Sequence, residues 1–266
     1  MPRFGQKGTA GTGRGVTIYT LDSGVLASHR EFQTWGGNVS RASYGYSFLA
    51  NSTGATALDC NGHGTHTAST AIGSNVGVAK EAEVVAVQVL GCEGDGTVSQ
   101  VLAGLDWVAR SYQPPAIVAM SLGTQDSQES AALDAAVTSL VEQYNITVVV
   151  AAGNQASNSC IFSPAHSPNA ITVGATDSTN KFSAVGNEDL LYSYTNTGPC
   201  VSLFAPGVNI LGACGGPSRC PAVNDSAYTW ASGTSMSTPH VAGLAAIYLS
   251  THPEASPAQG TKPAGC

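Results

Sequence analysis

Charge is scarce in this chain. Only 10% of its 266 residues are charged, against about 25% in an average soluble domain. Basic residues are the scarcer sign: 10 Lys and Arg stand against 17 Asp and Glu, for a formal net charge of −7. The basic face of a nucleic-acid binder is lacking, so no nucleic-acid partner is expected. No apolar run approaches the ~18 residues of a spanning helix, so no membrane span is expected. Met1 to Gly8 carries no apolar signal-peptide core; a secretion signal is expected to have been removed or to lie outside this chain. There is no C-x-x-C pair and no H-E-x-x-H, which removes the usual signatures of structural zinc, thioredoxin chemistry and zinc peptidases. Gly11-Thr12-Gly13-Arg14-Gly15 fails the spacing of a dinucleotide fingerprint and precedes a strand-like run instead of following one, so a nucleotide-binding domain is set aside. No linker, repeat or low-complexity stretch divides the chain. One domain over residues 15–250 is expected, with a lead-in at 1–14 and an irregular tail at 251–266.

What is present points outward from the cytoplasm. Seven cysteines allow three bridges with one left over. Asn38, Asn51, Asn145 and Asn224 head N-x-[ST] sequons that suit surface glycans. Both features favour an oxidising, extracytoplasmic setting and a secreted protein. Short runs rich in Val and Ile, from Val16 to Leu21, Val84 to Leu90, Ala116 to Met120, Thr147 to Ala152 and Ala170 to Val173, read as parallel strands buried on both faces. Between them, Val98, Val101, Leu102, Leu105 and Val108, and then Leu133, Ala136, Val137, Leu140, Val141 and Tyr144, recur at helical spacing. The alternation implies an α/β fold, a doubly wound domain with a mostly parallel central sheet flanked by helices. Ligands in such domains bind beyond the carboxyl ends of the strands. Asp22, Ser121-Leu122-Gly123 and Gly153-Asn154 stand at three such ends.

Ser235 lies in Gly233-Thr234-Ser235-Met236, where a glycine turn enters a small-residue helix. A hydroxyl there sits among unpaired backbone N–H groups, which suits a nucleophile facing a developing oxyanion. A plain helix cap is the alternative. His63, in Asn61-Gly62-His63-Gly64-Thr65-His66, stands at a helix mouth and is the better candidate base; His66, one turn deeper, reads as structural. A buried, hydrogen-bonded histidine is the alternative for either. Asp22 ends an apolar strand, as a turn residue or as the carboxylate that orients an imidazole. The Asn154 amide is either a turn residue or an oxyanion donor.

The order Asp, His, Asn, Ser in these contexts resembles the subtilisin-like serine proteases, especially their proteinase-K-like branch; subtilisin itself has the chain order Asp, His, Ser. The motifs are LDSGV around Asp22, NGHGTH around His63, SLG at 121–123, AAGN at 151–154 and GTSMSTPHVAG around Ser235. The resemblance runs from about Gly15 to Leu249. It implies a serine endopeptidase acting through an acyl-enzyme, with activity rising as His63 loses its proton, about pH 6–7 for an ordinary imidazole. Gly94-Asp95-Gly96 and Ser121-Leu122-Gly123 would pair with an extended peptide, and 121–123 with Ala152 and Gly153 would wall a pocket for apolar or aromatic side chains. Asp95 and Glu93 would favour basic residues nearby. The resemblance also implies the bridges Cys60–Cys92 and Cys160–Cys200; a short bridge, Cys214–Cys220, completes the set and leaves Cys266 free. Ser163–Pro164 is a candidate cis peptide. No cofactor is expected for the chemistry. A structural calcium is possible, but the site that the resemblance implies near Pro168 and Ala170 needs an Asp where Ser202 stands here, so calcium is not supported at that place. The expected partners are a protein or peptide substrate and a cleaved propeptide or inhibitor, and a monomer is expected. The competing reading is a protease-fold binding protein, self-inhibited or inactive because its ends are short.

Overall fold

The computed structural model describes residues 11–34, 36–37, 39–49, 56–125, 130–177, 190–220 and 222–257. The sequons at Asn38 and Asn51, and Cys266, lie outside them. Five apolar runs become the central strands β1 (Thr17–Asp22), β3 (Glu83–Gln88), β4 (Ala116–Met120), β6 (Thr147–Ala151) and β8 (Ile171–Asp177). Three further strands complete the eight-stranded sheet: β2 (Ala42–Ser47), β9 (Leu190–Leu191) and β10 (Leu203–Pro206). The order is β10-β8-β6-β4-β1-β3-β2, with β9 paired antiparallel to β8 and every other pair parallel. Small ladders pair β5 (Thr124–Gln125) with β7 (Phe162–Ser163), and β11 (Ile210–Ala213) with β12 (Tyr228–Ala231).

The four α-helices of the described residues divide between the sheet faces. α1 (His63–Ile72) and α4 (Thr234–Thr251) cover one face, where Ala68, Ile72, Val241 and Ala246 pack with Ile18, Ile117 and Val149. α2 (Val98–Ser111) and α3 (Ser130–Glu142) cover the other, where Val101, Leu105, Leu133 and Val137 meet Tyr19, Val118, Met120 and Val150. Neighbours such as Ile117 and Val118 therefore enter opposite cores, the alternation of a strand buried on both sides. The chain leaves β1 to build one half of the sheet through β3, then returns to place β4 on the other flank of β1. Beyond the carboxyl ends of β1 and β4 this reversal leaves a crevice. Asp22 ends β1, and Ser121 follows β4.

Candidate active site

Asp22 is buried at the end of β1, and α1 begins with His63 directly above it. His63 Nδ1 donates to Asp22 Oδ1 at 2.7 Å and lies 3.0 Å from Oδ2. Thr67 Oγ1, one turn along α1, donates to Oδ2 at 3.2 Å, and the Ser23 N–H donates to Oδ1 at 2.7 Å. The carboxylate is thus saturated, and the imidazole is held in the tautomer that leaves Nε2 unprotonated when the ring is neutral.

The entry to α1 is built without a local cap. Gly62 at the N-cap has φ 105, which a side chain rarely adopts, and no side chain with which to cap. Three neighbours supply the acceptors instead: Asn61 Oδ1 takes the His63 N–H, Ser23 Oγ takes that of Gly64, and Asp59 Oδ2 takes that of Thr65. Asp59 also receives Ser23 Oγ, the Asn61 and Gly62 N–H groups and Thr65 Oγ1. Burial pushes its carboxyl up; hydrogen bonds from Thr65 and Gly62 oppose the shift, and the Asp22 charge adds to it.

α4 follows the same plan. Gly233 precedes it with φ 145 and no side-chain cap, and Asn154, beyond the end of β6, accepts the Thr234 N–H on Oδ1 at 2.9 Å. That bond assigns Oδ1 as the accepting end of the amide and leaves Nδ2 as its donor end. Pro239, inside α4, has no N–H for the carbonyl of Ser235 four residues earlier. Ser121 Oγ takes up that acceptor at 2.9 Å, and Ser235 Oγ donates to the Ser121 carbonyl at 3.2 Å. The structure thus brings Asp22, His63, Asn154 and Ser235 to one place. His63 and Ser235 line one cleft without a hydrogen bond between them; turning the Ser235 side chain about one bond redirects its hydroxyl.

The sequence model of the subtilase family matches residues 13–262. This chain belongs to the subtilase family. It is 44% identical over 259 residues to an extracellular serine proteinase of Thermus sp. (strain Rt41A), covering 97% of this chain and 56% of that protein. It is 45% identical over 239 residues to a cuticle-degrading serine protease of Arthrobotrys oligospora, covering 90% and 52%. A crystal structure of a cold-adapted subtilisin-like serine proteinase superposes with a TM-score of 0.76 at 41% identity, covering 92% of this chain and 79% of that one. The chain spans about half the length of these two curated relatives.

In this subtilase the cleft holding His63 and Ser235 has a volume of about 400 Å³, with Gly94, Asp95 and Gly96 on one edge and Ser121, Leu122 and Gly123 on the other. A side pocket opens between 121–123 and Ala151, Ala152, Gly153 and Asn154, closed below by Phe162, Ser163 and Ala165. Among the described residues, no charged side chain lines that pocket. Ser163–Pro164 is cis, as is Pro114–Pro115. Behind the pocket, Asp134 of α3 pairs with His166 Nε2 and receives Ser163 Oγ at 3.5 Å.

Three disulfides join Cys60 to Cys92, Cys160 to Cys200 and Cys214 to Cys220. The first ties the approach to His63 to the 91–96 edge, and Asn61 Nδ2 reinforces it by donating to the Cys92 carbonyl at 2.8 Å. His66 is buried, with Nε2 on the Ile210 carbonyl and no partner for Nδ1 among the described residues. Burial therefore lowers it to about 4, against the partial support of its backbone hydrogen bonds. At Ser202, where the resemblance would require a calcium-binding carboxylate, Oγ accepts the Thr172 N–H at 3.0 Å and the Ser202 N–H returns to the Thr172 carbonyl. That donor set, a hydroxyl engaged with the sheet, does not fit the ion.

Sequence reasoning missed Ser23, Asp59, the Ser121 hydroxyl and the Asp134–His166 pair. Asp59 stands four residues before His63, but only the contact between the β1 end and α1 separates it from an ordinary turn aspartate.

Proposed function

We propose that this chain is the peptidase domain of a serine endopeptidase that hydrolyses protein substrates through an acyl-enzyme. The observation that carries the reading is the His63 imidazole, gripped by Asp22 through Nδ1 while it shares a cleft with Ser235, which in turn lines the side pocket together with Asn154. On this reading the Ser235 hydroxyl swings from the Ser121 carbonyl to His63 Nε2 when a peptide is bound. His63 takes its proton as Ser235 attacks the scissile carbonyl. The oxyanion receives the Ser235 N–H, which as a first-turn helix donor has no intrahelical acceptor, and Asn154 Nδ2. His63 then protonates the leaving amine, and water repeats the sequence on the ester.

The substrate lies as an added strand between 94–96 and 121–123. Uncharged, small walls at 121–123 and 151–153 favour apolar or aromatic side chains before the scissile bond, and Asp95 with Glu93 favours basic residues further along that half. Secretion agrees with the extracellular relative and the three bridges. Asn145 and Asn224 are exposed and open to glycans. Casein and peptide hydrolysis by the purified chain, beside Ser235→Ala, tests the reading: turnover abolished by the variant supports it, and equal rates contradict it.

A further inference from the structure

The Cys214–Cys220 bridge closes a tight loop, Gly215-Gly216-Pro217-Ser218-Arg219, against the approach to His63. Its two glycines are needed there: a Cβ on Gly215 would strike Thr65, and one on Gly216 would strike the backbone of Asn61 and Gly62. The turn is held by the Arg219 and Cys220 N–H groups on the Gly216 carbonyl, at 3.3 and 3.1 Å. So placed, Arg219 has its Cβ over Gly62, next to His63, and its side chain is exposed.

Every other described arginine or lysine is engaged. Arg14 pairs with Glu81 and Arg110 with Asp106. Arg30 lies over the Tyr228 ring, Arg41 donates to three carbonyls and Ser74, and Lys80 to three carbonyls. Arg219 alone has no side-chain hydrogen bond or ion pair among the described residues. It borders two spaces: the cleft of His63 and Ser235, and an adjoining hollow of about 300 Å³ walled by His66, Trp230, Ser232 and Met236. The hollow shares His63 and Arg219 with the cleft but neither strand-pairing edge, 94–96 or 121–123. A peptide whose acyl half lies on those edges therefore sends its leaving half into the hollow. Trp230, 61% exposed, offers that half an aromatic wall.

We propose that Arg219, on its disulfide-clamped loop, forms a subsite for a carboxylate side chain, Asp or Glu, in the leaving-group half of the substrate. The proposal rests on the proteolytic reading above and adds a direction to it. The cleft is acidic at Asp95 and basic at Arg219, so substrates with a basic residue further along the acyl half and an acidic one in the leaving half are preferred. In a chain of net charge −7 the carboxylate is drawn by this local cation and not by the overall field.

The test uses fluorogenic peptide pairs that differ only by Glu or Gln at each of the first few leaving-group positions. The readout is the Glu:Gln ratio of kcat/KM, for the unmutated chain, R219K and R219Q. An exposed ion pair predicts a ratio of about two- to fivefold at one position. It should shrink as salt rises from about 0.01 M to 1 M, persist in part in R219K and fall to about one in R219Q. Hydrolysis without Glu/Gln discrimination, or with discrimination that R219Q leaves intact, overturns the subsite alone. Hydrolysis of none of the peptides by the unmutated chain overturns the proteolytic reading and the subsite with it.

Discussion

At the scale of single residues, Asp59 does more than any group outside the Asp22–His63–Ser235 set. One buried carboxylate accepts five hydrogen bonds. These connect the residue after Asp22 to the first turn of the helix that carries His63. Asp59→Asn replaces one acceptor oxygen with a donor that faces other donors. We expect a loss on the order of 3 kcal/mol in urea unfolding. We also expect a fall of about 10- to 100-fold in kcat with KM little changed, because the imidazole is displaced while the binding edges are not. A variant with wild-type kcat and raised KM would contradict this positioning role.

At the scale of elements, α1 and α4 each begin on a positive-φ glycine and borrow their caps from residues of the site. The bonds that cap these helices are thereby the same bonds that position the site. Ser121 extends the scheme by filling the acceptor that Pro239 leaves open at the Ser235 carbonyl. Ser121→Ala should cost about 1 kcal/mol of stability and lower kcat; unchanged values of both would refute the tether. Much of this layer was legible in the sequence. β1, β3, β4, β6 and β8 are buried on both faces and so appear as apolar runs with few polar interruptions, and α2 and α3 show their buried stripes directly. β2 was not legible, because Ser43, Tyr44 and Tyr46 of this edge strand stay outside the core and the run Ala42–Ser47 has no apolar pattern. β5 and β7 are two residues each and exist only as a pairing. The site shows the same division: Asp22, His63, Asn154 and Ser235 sit in dense local motifs, whereas Asp59, Ser23 and the Ser121 hydroxyl act only through contacts distant in the chain.

At the scale of the whole molecule, the reversal of strand order around β1 sets the site, and the buried histidines contribute to its sensitivity to acid. His66, His29 and His240 are all lowered, chiefly by burial. His66 titrates at about 4 in the fold and near 6.5 when unfolded. Between those values the unfolded chain binds the extra proton, so stability is full above about pH 6.5 and is lost as pH falls toward 4. His66 contributes up to about 3 kcal/mol of that loss. His29 and His240 act in the same direction, while Asp59, raised, acts against them. Urea unfolding of the Ser235→Ala chain, free of self-digestion, should show this slope, and His66→Gln should flatten it; parallel pH profiles would contradict the assignment. The account as a whole stands on Ser235 being activated by His63. The most direct measurement is intact-mass and peptide mapping after a fluorophosphonate probe. We predict a single adduct on Ser235 in the unmutated chain, absent from Ser235→Ala and strongly slowed in His63→Ala. No adduct on the folded chain, or labelling indifferent to His63, would contradict it.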